Sequence, residues 1–282
     1  MLTRRRFSIS LAATAGSVAL MRRPARAAND ELRVAFIPES GATPEQLAAR
    51  EPLVAMLEKA TSRRVKLLVT TSYAATVEAI GNDGVDLAYL GGLTYVKAHD
   101  RYGVRPIVQR EEDKQYHSLF IASASEPNLN GLAGLKGKRF AFGDPNSTSG
   151  HLIPVREMVD AHLDPDKDLA TRFTGNHPAT AQAVASGAVD AGALDEGIYH
   201  KLVAEKTLEP AKARVFFTSR PFVDYVWSTS KALDSKLVAQ ITHGFYTANP
   251  ALLSVLRAKR FVAANDGEYD AIRVVAKRVG LL

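Results

Sequence analysis

Two stretches decide the architecture of this chain: GNDGVDLAYLGG at residues 81–92 and ASGAVDAGALDEG at 185–197. Each reads as a helix end, a glycine turn, an aspartate and a short apolar run of strand length. The sequence upstream of the first stretch is strand-like at 32–37 (LRVAFI) and 65–70 (VKLLVT). Helical patterns follow each strand: 44–60 spaces Leu47, Leu53, Val54 and Leu57 at helical intervals, and 73–80 continues the same way. The second stretch has the same prelude, with strands at 138–142 (KRFAF) and 169–174 and helices at 151–162 and 179–186. Strand–helix alternation is the pattern of a layered α/β domain. Its double occurrence predicts two lobes of similar architecture. The strand-like runs at 118–123 (SLFIAS) and 225–230 (YVWSTS) are expected to link the lobes, with a mostly helical 233–282 returning to the first. The expected division is 28–117 plus 229–282 for lobe 1 and 118–228 for lobe 2.

Composition narrows the class. The chain has 282 residues, 46% of them hydrophobic, enough for one large domain or two smaller ones. It has no cysteine, which excludes disulfides and thiolate metal sites. The histidines show no metal-ligand spacing, so neither metal nor cofactor is expected. Arg4, Arg5 and Arg6, an apolar run over 9–21 and Ala25-Arg26-Ala27 make 1–27 a secretory signal of twin-arginine type, cleaved after Ala27 or Ala28. Removing it takes six of the 36 basic residues and none of the 30 acidic ones, leaving a neutral chain. A nucleic-acid binder carries a basic surplus in its folded part, so that class is set aside. No later stretch is long and apolar enough to span a membrane.

One loop has the composition of a binding site: GDPNSTSGH at 143–151. Asp144-Pro145 favours a turn, and Ser147, Thr148 and Ser149 precede a predicted helix. Helix N-termini expose unpaired N–H groups and partial positive charge, so they hold oxyanions without cationic side chains. Three hydroxyls add rotatable donors, where a plain N-cap needs one. The lysine of a nucleotide P-loop is missing.

GDPNSTSGHLIP at 143–154 resembles the substrate-binding proteins of phosphonate and phosphite ABC transporters, the PhnD-like family. TSYAATVEAI at 71–80, DLAYLGGLTYVKAHD at 86–100, YHSLF at 116–120 and GNHPATAQAVASGAVDAGALDEG at 175–197 extend the resemblance over most of 32–230. It implies a type II periplasmic binding protein: two α/β lobes joined by two crossover segments and closing on a ligand between them. The ligand implied is a small phosphorus oxyanion: phosphite, hypophosphite, a phosphonate or phosphate. The partner implied is an ABC permease in the inner membrane, served by a monomer in the periplasm.

Carried over by position, the resemblance implies that Ser147, Thr148 and Ser149 hold the P–O oxygens. Tyr73 and Tyr116 would donate hydroxyls or wall the pocket, and His177 would donate to an oxygen. Gly91 and Gly92 would lie near the ligand's variable end. Asp195 would accept from a protonated oxygen or an amino substituent, although in isolation it reads rather as the N-cap of a helix over 196–204. An acid facing an anion is sensible only if the ligand keeps an acidic proton. Fully ionised sulfate has none and would leave a buried acceptor unpaired, at about 1–3 kcal/mol or more. Two other functions compete. Ser147 or Ser149 with His177 and Asp195 has the residue types of a hydrolase triad, but no G-x-S-x-G elbow is present. The same fold could also report its ligand to a membrane sensor kinase.

Overall fold

The computed structural model describes residues 30–39 and 47–282. The export signal expected over 1–27, and the first residues of the helix expected over 44–60, lie outside them.

Among the described residues the strands form two sheets. The first runs β2 (Arg64–Val69), β1 (Glu31–Phe36), β3 (Leu87–Leu90), β10 (Val226–Thr229), β4 (Arg105–Arg110), β11 (Phe261–Ala263). The second runs β7 (Ala170–Phe173), β6 (Arg139–Phe142), β8 (Ala191–Asp195), β5 (Ser118–Ser123), β9 (Ala213–Thr218). Three strands on one side of each sheet are parallel, and the fourth in order is antiparallel to the third. The two halves therefore share one plan, and their matching positions carry matching bonds. Arg33 N–H donates to Asp86 at 2.9 Å, and Arg139 N–H donates to Asp190 at 2.8 Å. Thr70 and Thr76 hydroxyls meet at 2.5 Å, and those of Thr174 and Thr180 meet at 2.6 Å. Helices α2 (Tyr73–Gly81) and α6 (His177–Ala185) start at equivalent places, capped by Ser72 and Asn176. This puts Tyr73 and His177 at corresponding positions in opposite lobes.

Two expectations need correction. The runs at 118–123 and 225–230 do not link the lobes: β5 lies inside the second sheet, and β10 lies inside the first. The linking chain is 111–117 and 219–225, paired by a bridge between Tyr116 and Phe222. The return to the first sheet therefore precedes Val226 rather than following 228. The 233–282 region contains helices α8 (Ser235–Tyr246), α9 (Pro250–Val255) and α10 (Asp270–Arg278), but also the edge strand β11, too short to show a period.

Each lobe has its own apolar core. Phe36, Tyr89, Trp227 and Phe245 pack ring against ring in the first, and Phe120, Phe140 and Phe142 do so in the second. Burying a large side chain of this kind contributes about 1.5–3 kcal/mol. The crossover is stiffened by Arg110 and Asp113, both buried and joined side chain to side chain at 2.5 and 2.8 Å. The Arg110 guanidinium also lies over the Tyr116 and Tyr225 rings.

Candidate ligand-binding site

The carboxyl ends of β1, β3, β6 and β8 face one another across the seam between lobes, which is where open α/β sheets place their ligands. The 143–151 loop follows β6. Its hydroxyls open a π-helical turn, Thr148–Leu152, that runs into α4 (Ile153–Asp160). The helix expected over 151–162 thus begins three residues early, with a wide first turn that aims the hydroxyls at the seam. Ser147 Oγ accepts from Gly150 N–H at 3.0 Å. Position 150 is tight: a Cβ there would lie 3.0 Å from Ser147 Oγ, 3.1 Å from His177 Cε1 and 3.2 Å from Gly143 Cα. That close approach brings His177 onto the loop.

The structure gathers six of the nine expected residues around one point: Tyr73, Ser147, Thr148, Ser149, His177 and Asp195, all at most 2% exposed. Tyr73 Oη, Ser149 Oγ, His177 Nε2 and Asp195 Oδ2 are buried without a hydrogen-bond partner among the described residues. Buried polar groups are nearly always paired, so four converging exceptions mark a site built for a polar guest.

Protonation follows from the surroundings. Burial, and then the Glu39, Asp144 and Asp195 carboxylates, push the Tyr73 phenol well up, so it remains a donor. Burial pushes His177 below its ordinary value, so it is neutral at pH 7. Its Nδ1 accepts from Asp195 N–H at 3.4 Å, which leaves the ring proton on Nε2, the unpartnered atom. Burial opposes charge on Asp195, but the Arg257 guanidinium, the Ile198 N–H and the Tyr116 hydroxyl favour it, and its carboxyl lies below the usual range. Asp195 is therefore an ionised acceptor. Its Oδ1 caps α7 (Glu196–Ala204) at 2.6 Å and receives the Tyr116 hydroxyl at 2.8 Å, while Oδ2 stays free. The N-cap reading of Asp195 holds through Oδ1, and Oδ2 is left facing the seam without a partner.

Tyr116 does not present a free hydroxyl. It donates to Asp195 and accepts from Gly197 N–H at 3.1 Å, so it orients the acid. Gly91 meets the second lobe directly, and Gly92 meets the return crossover. A Cβ on Gly91 would lie 3.2 Å from Thr148 Oγ1, and Gly92 N–H donates to Asp224 Oδ1 at 3.0 Å.

Three participants were missed in the sequence. Glu39 lies just beyond the end of β1, as Asp195 ends β8, so the same strand-end argument would have found it. It is 5% exposed with Oε2 unpartnered, and it faces Arg257 at 3.5 Å. Asp224 sits on the return crossover beside the Thr148 hydroxyl, with Oδ2 unpartnered, and burial raises its carboxyl well above the usual range. Arg257, in the run LRAKR, carries no pattern that separates it from its neighbours. Glu39 and Asp195 keep it charged despite burial.

The triad geometry is absent among the described residues. Neither Ser147 nor Ser149 hydroxyl is bonded to His177, and His177 Nδ1 faces the Asp195 backbone rather than its carboxylate.

Two α/β lobes, two crossovers and a polar site in the seam define a periplasmic binding protein of the two-lobed, type II class. Residues 36–269 match the family described as "ABC transporter, phosphonate, periplasmic substrate-binding protein", and the chain belongs to that family. It is a family of transport receptors and not of enzymes. The chain is 27% identical over 278 residues to the "Phosphate-import protein PhnD" of Mycolicibacterium smegmatis, covering 89% of this chain and 86% of that one. It is 29% identical over 241 residues to the "Probable ABC transporter phosphite binding protein PhnD1" of Prochlorococcus marinus, covering 79% and 81%. The solved structure of Prochlorococcus marinus PhnD1 in complex with methylphosphonate superposes with a TM-score of 0.83 at 27% identity, covering 90% of this chain and 99% of that one.

Proposed function

We propose that this protein captures a small, singly protonated phosphorus oxyanion in the periplasm and delivers it, as a monomer and without turnover, to an inner-membrane ABC permease. Ser147, Thr148, Ser149, Tyr73 and His177 Nε2–H donate to the oxygens. Asp195 Oδ2 accepts the remaining P–OH proton, and Tyr116 holds Asp195 in place. The observation that carries this reading is the set of buried, unpartnered atoms: three neutral donor groups converge on one ionised acceptor. Such a set complements an anion that still has one proton to give. Sulfate lacks that proton and would face the Asp195 charge directly.

Calorimetry with phosphite, methylphosphonate and phosphate tests it, with two anions that keep no acidic proton at pH 7, sulfate and hypophosphite, as controls. At least one of the three protonated ligands binds, and each control binds at least tenfold more weakly. No binding by any of the three, or equal affinity for either control, overturns the reading.

A further inference from the structure

The helix that opens the first-lobe side of the seam, α3 (Gly92–Tyr102), has no cap of its own. Its counterparts do: Ser72 caps α2 at 3.1 Å, Asn176 caps α6 at 2.9 Å and Asp195 caps α7 at 2.6 Å. The structural duplication pairs Gly91 with Asp195, so the first lobe has a glycine where the second has its capping acid. The two exposed N–H groups are nevertheless satisfied, from outside the lobe. Gly92 N–H donates to Asp224 Oδ1 at 3.0 Å, from the return crossover, and Leu93 N–H donates to Thr148 Oγ1 at 3.0 Å, from the second lobe. Leu93, Thr148 and Asp224 are all at most 2% exposed. The same helix face continues the grip: Thr94 Oγ1 donates to Asn146 O at 3.2 Å, and Lys97 Nζ donates to Asn146 Oδ1 at 2.7 Å.

We propose that Thr148 is a positioning residue for lobe closure: its hydroxyl oxygen caps the first-lobe helix in trans, while its single proton serves the bound oxyanion, so one side chain couples occupancy to closure. The proposal rests on the ligand reading above. A hydroxyl accepts and donates at once: in the free site the Thr148 proton faces the Asp224 carboxyl, and turning it to an anion leaves the oxygen an acceptor for Leu93 N–H. Opening the lobes strips the cap and leaves Leu93 N–H to water. Gly91 is part of the device. A Cβ there would stand 3.2 Å from Thr148 Oγ1 and 3.4 Å from Asp224 Oδ1, so a side chain at 91 presses the foreign cap aside by a few tenths of an ångström.

The chain has no cysteine, so one introduced in each lobe, at exposed Lys59 and Lys167, takes a fluorophore pair cleanly. Single-molecule energy transfer then reads the closed-state dwell time at saturating concentrations of the tightest-binding anion of the calorimetric panel. Thr148→Val, which keeps shape and removes the hydroxyl, shortens that dwell time about tenfold, the scale of one buried bond lost with its partner stranded. Thr148→Ser restores it. Gly91→Ala, which removes no group proposed to touch the ligand, shortens it as well by wedging Thr148 away. If Thr148→Val needs more ligand but dwells closed as long as the wild type once saturated, Thr148 is a ligand contact only and the latch is refuted. Wild-type dwell times in Gly91→Ala count equally against it. A wild-type protein that binds none of the anions overturns the functional reading instead.

Discussion

Replacing Asp195 with asparagine isolates the step on which selectivity turns. Oδ1 holds the α7 cap at 2.6 Å and the Tyr116 hydroxyl at 2.8 Å, and an amide oxygen accepts both. Oδ2 is the atom that changes, from an ionised acceptor to an N–H donor. A phosphorus monoanion then loses a charge-assisted bond, worth about 1.5–3 kcal/mol, so its affinity falls roughly 10- to 100-fold. Sulfate loses a facing charge and gains a donor, and its affinity rises by a similar factor. The ratio of the two dissociation constants therefore moves by about 10²–10⁴. Calorimetry at pH 7 measures both. In the wild type, affinity for a ligand with a second ionisation near pH 6–7 also falls about tenfold per pH unit above it, as the P–OH proton is lost. In Asp195→Asn that slope is absent. If both anions weaken by the same factor, Asp195 supports the fold without sensing the proton, and the account of selectivity is refuted.

Three further outcomes are expected. Tyr73→Phe removes a donor that has no protein partner in the free site, so ligand affinity falls about 2- to 10-fold while the thermal midpoint without ligand holds or rises; a lower midpoint would mean that the phenol has a structural partner. Asp224 and His177 give opposite pH trends. A carboxyl whose folded pKa is raised contributes stability in acid that is lost as pH climbs through the folded value, so Asp224→Asn, which keeps the acceptor for Gly92 N–H, raises the midpoint at pH 7 by about 2–4 °C, measured by calorimetric scans. Burial lowers His177, whose contribution is therefore present above pH 6.5 and lost as pH falls through its folded value; His177→Gln flattens that acid limb. Finally, Asp113→Ala strands the buried Arg110 guanidinium at the crossover and costs about 3–5 kcal/mol in urea unfolding, and a loss under 1 kcal/mol would show that water reaches the pair.

The duplicated plan was legible because buried parallel strands are short apolar runs bounded by glycine turns, and the chain writes that pattern twice. The antiparallel strands were harder. Arg105–Arg110 and Ala213–Thr218 mix charged and apolar residues because they lie beyond the parallel centre of each sheet, and β11 is only three residues long. The hydroxyl loop was readable because a helix N-terminus advertises itself through local chemistry. What local chemistry does not reveal is a partner brought from far away. The Tyr116 hydroxyl looked free, yet Asp195, 79 positions on, takes it. Gly91 and Gly92 looked like ligand neighbours, yet their role is to let Thr148 and Asp224 approach. Arg257 reaches the site from beyond α9, through a contact 218 residues apart in sequence.

The site's electrostatics explain why an anion receptor gathers carboxyl groups. A pocket lined by lysine or arginine attracts every small anion, since Coulomb attraction falls only gently with distance and ignores shape. Here Asp195 and Glu39 stand beside the buried Arg257 guanidinium, and Arg50 also faces Glu39. The Asp195 carboxylate disfavours a bare dianion oxygen placed against it. What attracts is short-ranged: the neutral donors Tyr73, Ser149 and His177 Nε2–H reward only a guest whose oxygens fall at hydrogen-bond distance. An ionised acceptor among neutral donors thus disfavours sulfate and accepts the monoprotonated form by geometry. The same logic makes the trans cap useful. An anion that fails to engage the Thr148 hydroxyl also fails to reinforce the contact holding the lobes together, so a mismatched guest is released before a permease meets a closed receptor.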